Sequence, residues 1–265
     1  MSSTMFVDRT AESGGGAVGD ASTELPVPPW RKPRKSGRSA AARRPLTREL
    51  IVEAALRVLD AEGLDAVTMR RVAQELGTGP ASLYAHFANK DELLEEMLDL
   101  IAAEITLPEP DAARWQEQVK EVAREIREVW RGHRDIARAS LGTIPTGPNQ
   151  LRIAEGQLAI MRAGGVPPRI AALALDSLGL FIDADVIEGA MMGEKGATNE
   201  EAHANVAVYL DQVRQYFTAL PAERYPNLVA MVDELMRAGD DERFEFGLDL
   251  FVRGIASHAR GIVSG

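Results

Sequence analysis

The chain has 265 residues, of which 45% are hydrophobic and 26% charged, and this size and balance allow one or two globular domains with a sizeable core. It contains no cysteine, which excludes a disulfide framework and a thiolate metal site. No secretory signal precedes the first elements, and the most apolar stretch, residues 170–192, carries three aspartates. We therefore predict a cytoplasmic protein that does not enter the membrane.

The net charge of −10 is distributed unevenly along the chain. Residues 1–29 carry −3, residues 30–44 carry +7, and the remaining 221 residues carry −14. We predict that residues 1–44 form a disordered N-terminal extension, within which residues 30–44 are a basic arm. The arm is expected to contact a polyanion, and the alternative is a solvated tail. Its cationic residues are Arg31, Lys32, Arg34, Lys35, Arg38, Arg43 and Arg44.

Helical periodicity begins after residue 45. Thr47 is a predicted N-cap for the first helix, which Gly63 ends. Thr68 can cap a second short helix, and Gly77 stops it. In both helices, apolar residues recur at the three- and four-residue intervals of a buried helix face.

The next stretch, "TGPASLYAHFANK", covers residues 78–90. Gly79 and Pro80 predict a helix start, because proline is tolerated in a first turn. Leu83 and Phe87 lie four residues apart and are expected to anchor the inner face of this third helix.

Asn89 and Glu92 resemble a capping box that starts a long helix. Further helices are predicted over residues 113–131, 134–141, 149–163, 168–192, 203–219, 225–238 and 243–260. No alternating strand pattern interrupts them. The predicted fold class is all-α, with a small three-helix domain at residues 45–92 and a larger helical domain at residues 93–265.

Two short helices separated by "GTG" are typical of a helix-turn-helix motif. A recognition helix enters a major groove roughly 12 Å wide, so its leading residues must be small or able to bind base edges and phosphates. For His86 the alternative is that it covers the neighbouring helix. The predicted DNA-binding residues are Thr47, Thr68, Arg70, Thr78, Gly79, Pro80, Ala81, Ser82, Tyr84, His86 and Lys90.

Residues 46–98 closely resemble the DNA-binding domain of the tetracycline repressor (TetR) family of bacterial regulators. The resemblance lies in a block with Gly63, Thr68, Arg70 and Ala73, and in the "LYxHFxNKxELL" block from Leu83 onward. It implies a homodimeric transcriptional repressor that binds a palindromic operator and is released by a small molecule. A transcriptional activator and a ligand-independent architectural DNA-binding protein remain alternatives.

Patches of residues 115–260 resemble the ligand-binding and dimerisation domain of the tetracycline repressor branch. Ser140 stands where that repressor has the histidine that binds drug-chelated magnesium, so we predict a hydrophobic inducer other than tetracycline–magnesium. The turn "LGTIPTG" is expected to act as a hinge beside the pocket. The candidate pocket residues, taken from the resemblance or from inward-facing positions, are Ile101, Val122, Ile126, Trp130, Ser140, Thr143, Gln157, Met161 and Phe181.

Apolar and small residues at alternating intervals of three and four form a seam on the helix from residue 168 and on the last helix. The resemblance favours a dimeric four-helix interface there, and the alternative is ordinary intramolecular core. The predicted interface residues are Ala172, Leu175, Gly179, Ile182, Val186, Gly247, Phe251 and Gly254.

No nucleophile, acid–base pair or cofactor motif supports an enzyme. The "HRD" at residues 133–135 is similar to a kinase catalytic loop, but the chain lacks the accompanying glycine-rich and "DFG" motifs, so we interpret it as a helix junction. The four histidines show no metal-ligand spacing, and we predict neither a metal nor a cofactor.

Overall fold

The computed structural model describes residues 45–141, 143–194, 199–237 and 239–259. Within these ranges the regular structure is helical and no strand occurs, which confirms the all-α fold class. The predicted N-terminal extension with its basic arm lies outside the described residues. The helices are α1 (Arg48–Glu62), α2 (Met69–Glu75), α3 (Pro80–Tyr84), α4 (Lys90–Ala102), α5 (Trp115–Gly132), α6 (Ile136–Ser140), α7 (Pro148–Ala163), α8 (Pro168–Glu194), α9 (Asn199–Thr218), α10 (Pro226–Ala230), α11 (Val232–Arg237) and α12 (Asp240–Ala259), with a short 3-10 helix at Leu64–Ala66.

Helices α1 to α3 form the head, and their predicted caps are confirmed. The Thr47 hydroxyl accepts from the Leu50 N–H at 3.3 Å, and the Thr68 hydroxyl accepts from the Arg71 N–H at 3.1 Å. Gly63 closes α1 at φ +86°, a backbone conformation that glycine adopts without a steric penalty.

Helix α4 joins the head to the remaining helices, which we call the body. Its N-terminus resembles the predicted capping box: Asn89 Oδ1 accepts from the Glu92 N–H at 2.8 Å, and Glu92 Oε2 accepts from the N–H of Ala88, one residue before the cap, at 2.7 Å. The helix packs against α1 on one side and α7 on the other. One hydrophobic core therefore runs from the head into the body.

In the body, α5, α7 and α8 pack against one another, and α12 lies across α8 and α5. Close approach depends on glycine at Gly164, where an added Cβ would lie 2.2 Å from the Trp115 ring. None of the described helices combines the length and the apolar character needed to cross a membrane.

The helix predicted over residues 225–238 is in fact two short helices. Met231 leaves helical geometry at φ −110° and ψ 11° and closes α10 before α11 begins. The apolar periodicity that predicted one helix does not detect a break of a single residue.

Candidate nucleic-acid interface and ligand site

The turn between α2 and α3 is tight and specified locally. Gly77 has φ +62°, and the Thr78 N–H donates to the Ala73 carbonyl at 2.9 Å, which ends α2. Pro80 occupies the first turn of α3, where its missing N–H costs nothing. The two helices pack on each other and form the predicted helix-turn-helix.

Helix α3 presents one face to solvent. Leu83 and, just beyond the helix, Phe87 are buried, whereas Ala81, Ser82 and Tyr84 are exposed, Tyr84 to 54%. The exposed face is free to enter a groove, and small side chains lead it, as base contact requires.

The other predicted DNA-binding residues surround this face. Thr78 is half-buried and donates to the Ser82 hydroxyl at 3.1 Å, and His86 is half-buried as well. Arg70 is exposed and forms no ion pair within the part of the chain that the structure describes. Lys90 Nζ donates to the Leu64 carbonyl at 3.3 Å, so a phosphate would have to share this ammonium group.

Arg48 contacts the segment that follows α3, and its role was not predicted from the sequence. Its guanidinium donates to the His86 carbonyl and to Glu92 and Glu96 at 2.9 and 2.8 Å, and it lies 4.0 Å from the centroid of the Phe87 ring. The sequence does contain one signal for this role. Arg48 is a cation at the N-terminus of α1, where the helix dipole disfavours positive charge, so its presence indicates a contact with another part of the protein.

The "HRD" segment is confirmed as a helix junction, between α5 and α6. Asp135 adopts a left-handed conformation at φ +57°, and its Oδ2 accepts from the Leu64 N–H at 2.9 Å. His133 Nδ1 lies 3.4 Å from Asp60 Oδ1, and His133 Nε2 lies 3.3 Å from Glu104 Oε1. The body therefore contacts the head directly beyond α1, where an added Cβ on Gly63 would lie 2.8 Å from the same Asp135 oxygen.

Most predicted pocket residues face the interior of the body. Ile101, Val122 and Met161 are almost completely buried. Ile126 is partly buried against the core, and Thr143 is half-buried and donates to the Ala139 carbonyl at 2.9 Å. These residues form part of the apolar interior of the body.

Two polar predictions stand out in this interior. Gln157 is buried at 8% exposure, yet its side chain has no hydrogen-bond partner among the described residues. Ser140 donates to the Ala137 carbonyl at 2.8 Å.

Asp183, which the sequence analysis did not select, lies beside two of the predicted residues. It accepts from Trp130 Nε1 at 2.9 Å. Burial raises the pKa of Asp183, while hydrogen bonds from Ser140 and Trp130 partly oppose this effect.

The prediction that Phe181 lines the pocket is corrected by its packing. Its ring stacks on Phe244 at 5.3 Å between centroids and lies tilted against Phe251 at 5.1 Å. An added Cβ on Gly247 would lie 2.7 Å from the ring. Phe181 therefore belongs to the α8–α12 packing, for which Gly247 leaves room.

The predicted dimer seam is partly wrong. Ile182 and Val186 are 1% and 8% exposed, so they belong to the core of the protomer and cannot form the interface. Ala172, Gly179 and Gly254 are exposed, and Leu175, Gly247 and Phe251 are half-buried. Residues at intervals of three and four fall on two neighbouring rows along each helix. Only tertiary packing shows which row faces outward.

The outward row is apolar. Leu173 and Leu180 on α8 are 56% and 53% exposed, and Phe246 and Leu250 on α12 are 67% and 55% exposed. An open groove of about 510 Å³ runs between the two helices. An exposed apolar surface of this kind marks an interaction site.

A small helix-turn-helix head with a free recognition face, joined to a helical body with an apolar outer face, defines a DNA-binding transcriptional regulator. Residues 51–97 match the model of "Bacterial regulatory proteins, tetR family", and residues 107–259 match that of the "Tetracyclin repressor-like, C-terminal domain". The chain belongs to the TetR family.

Relatives of known function agree with this assignment. The repressor DrrR1 of Streptomyces coeruleorubidus is 28% identical over 263 residues, 93% of each chain. The class A tetracycline repressor from transposon 1721 of Escherichia coli is 31% identical over 213 residues, 78% of this chain and 88% of the relative. Crystalline apo ActR from Streptomyces coelicolor is 41% identical with a TM-score of 0.74, covering 83% of this chain and 99% of ActR. In its complex with actinorhodin, ActR is 42% identical to this chain with a TM-score of 0.73, and the match covers 80% of this chain and 96% of ActR.

The predicted activity is therefore confirmed at the level of the family. The chain is a ligand-responsive DNA-binding repressor that acts on operator DNA as a dimer, and the repressor relatives do not favour the activator alternative. Members of this family are DNA-binding regulators rather than enzymes.

Proposed function

We propose that each head places residues 78–86 in a major groove of a palindromic operator, in the cytoplasm and on the nucleoid DNA. The exposed face of α3 carries this proposal: Ala81, Ser82 and Tyr84 point outward while Leu83 fixes the helix from inside. Thr47 and Thr68 occupy helix N-termini, where hydroxyl and backbone N–H groups favour a phosphate.

The inducer in this proposal is a small, largely hydrophobic molecule bound between α5, α7 and α8. The buried Val122 and the apolar Ile126 support it, as does Ser140 in place of a metal-binding histidine. Since ActR binds actinorhodin and is 42% identical to this chain, actinorhodin is the first candidate.

The proposed signal passes from the pocket to α4. Ser140 ends α6, and the following turn leads to the N-terminus of α7, where Asp99 of α4 accepts from the Asn149 and Gln150 N–H groups at 2.9 and 3.0 Å. A ligand that moves this turn would move α4 and the heads. A shift of the population from 1:99 to 99:1 requires about 5.5 kcal/mol of differential binding.

Fluorescence anisotropy on DNA adjacent to the gene of this protein tests the proposal, with unrelated DNA as control and the salt concentration titrated. We expect affinity at least about 10³-fold above that for unrelated DNA, and release of the operator by actinorhodin. Equal affinity for both DNAs contradicts sequence-specific repression.

A pair of substitutions at alanine positions locates the surface. Ala81→Glu places a carboxylate on the exposed face of α3 and should weaken operator binding at least about 10-fold, by repulsion from the DNA. Ala113→Glu makes the same change at an exposed alanine of the body and should leave affinity unchanged. Equal effects of the two changes count against α3 as the recognition helix.

A further inference from the structure

Two aspartates, two residues apart on α8, have opposite electrostatic surroundings. Asp185 pairs with Arg127 at 2.6 Å, and Arg127 also pairs with Asp241 at 2.7 Å. Asp183 forms no ion pair with the described residues, and Trp130 is a neutral donor to it. The nearby guanidinium is thus already occupied, and Asp183 is left without a compensating charge.

The donors available to Asp183 are also few. A serine hydroxyl has one hydrogen, so Ser140 cannot donate to the Ala137 carbonyl and to Asp183 at the same time. Asp183 faces α5 and α6 through Trp130 and Ser140, yet its side chain keeps some accessible surface. An inward-facing carboxyl group with spare acceptor capacity and accessible surface is suited to receive a donor from a bound molecule.

We propose that Asp183 is the hydrogen-bonding anchor for the inducer and selects an apolar molecule that places a neutral or cationic donor, such as a hydroxyl group, at this carboxyl over one that places a carboxylate there. This inference rests on the proposed function and names the chemistry of its ligand. A carboxylate at the same position meets a like charge, since Arg127 is committed to Asp185 and Asp241. A molecule without a polar group leaves the Asp183 oxygens unsatisfied.

The anchor is also placed where a ligand can act on the head. Ser140, beside Asp183, is the last residue of α6 and leads into the turn before α7. A donor bound at Asp183 therefore lies next to the start of this turn.

Three probes of matched size test the selectivity on the full-length protein: 1-naphthol, 1-methylnaphthalene and 1-naphthoate. Their affinities are measured by ligand-observed NMR titration. We expect 1-naphthol to bind at least about 10-fold more tightly than either of the others, equivalent to one hydrogen bond to a charged or buried group.

The variants assign this preference to Asp183. Asp183→Leu should abolish it. Asp183→Asn, which keeps an acceptor oxygen, should retain part of it and provides a second variant if Asp183→Leu does not fold. Glu155→Gln removes an exposed acid of α7 and should keep the full preference. Equal affinities for the three probes, absence of binding by 1-naphthol, or an undiminished preference in both Asp183 variants would overturn the proposal.

Operator release by actinorhodin is measured separately in the same variants. Naphthol preference without release contradicts the proposal that actinorhodin is the inducer and leaves the anchor standing. Release by actinorhodin without any naphthol preference contradicts the anchor and leaves the repressor function standing.

Discussion

Arg48 shows how one side chain connects the segment after α3 to α1 and α4. It lies in the first turn of α1 and contacts the segment that follows α3 through the His86 carbonyl and the Phe87 ring. It also pairs with Glu92 and Glu96 on α4. Because the Arg48 side chain is only 12% exposed, its removal would take a largely buried cation away from Glu92 and Glu96.

We expect Arg48→Met to destabilise the protein by about 3 kcal/mol, the usual cost of breaking a buried ion pair from one side, and to weaken operator binding. The matched control is Arg57→Met on the same helix, where the side chain is 56% exposed and its distance to Glu75 is 3.6 Å. The Arg57→Met change should lower the free energy of unfolding by less than about 1 kcal/mol. Urea denaturation at one fixed protomer concentration measures the loss of unfolding free energy in both variants. Equal losses would contradict the role of Arg48.

At the scale of elements, α4 and α7 cap each other. Asp99 of α4 accepts from two N–H groups at the start of α7. Arg152 of α7 donates to the carbonyls of Ala102 and Ile105 at 3.0 and 2.8 Å, at the end of α4. Each helix therefore satisfies backbone groups that the other leaves free, and the two must move together.

Asp99→Ala removes this cap and should cost about 1 kcal/mol of stability, with faster hydrogen exchange at the Asn149 and Gln150 amides. Asp99→Asn keeps an acceptor oxygen and should cost only a few tenths of a kcal/mol. Gly147→Ala should resemble Asp99→Ala, because the added Cβ would lie 2.1 Å from Asp99 Oδ1. Unchanged exchange in Asp99→Ala would show that the cap does not hold α7.

At the scale of the whole molecule, the open apolar face of α8 and α12 is where we expect the dimer to form. Leu250→Glu should give a monomer in light-scattering measurements and lose operator affinity, since a two-fold operator requires two linked heads. Ile144→Glu provides the control, because Ile144 is 67% exposed but lies outside these two helices. A dimeric Leu250→Glu variant would place the interface elsewhere.

The acidic head suggests that the basic arm contributes to DNA affinity. Residues 45–92 carry a net charge of −3, against +7 for residues 30–44. A chain lacking residues 1–44 should bind the operator more weakly, and the slope of log K against log salt should become shallower by about 0.9 for each phosphate that the arm otherwise neutralises. An identical slope in the full-length and shortened chains would contradict a role for the arm.

The local structure of the head follows from its sequence to a large extent. Thr47, Thr68 and Asn89 cap the helices that they were predicted to cap, and Gly77 with Pro80 specifies the turn into α3. These signals act over four residues or fewer, so one sequence contains all the information they need. The same short-range signals did not detect the break at Met231.

Only the tertiary structure decided which side chains meet across long separations in the chain. Ile182 and Leu180 lie on adjacent rows of α8, and packing alone places the first in the core and the second outside. Arg48 with Glu96, and Trp130 with Asp183, are separated by 48 and 53 residues, and no periodicity relates them. The sequence by itself therefore determined the class of fold and the helix-turn-helix, because capping and turn preferences are local. The polar interior and the outer face were decided by tertiary packing, because burial is a property of the assembled helices.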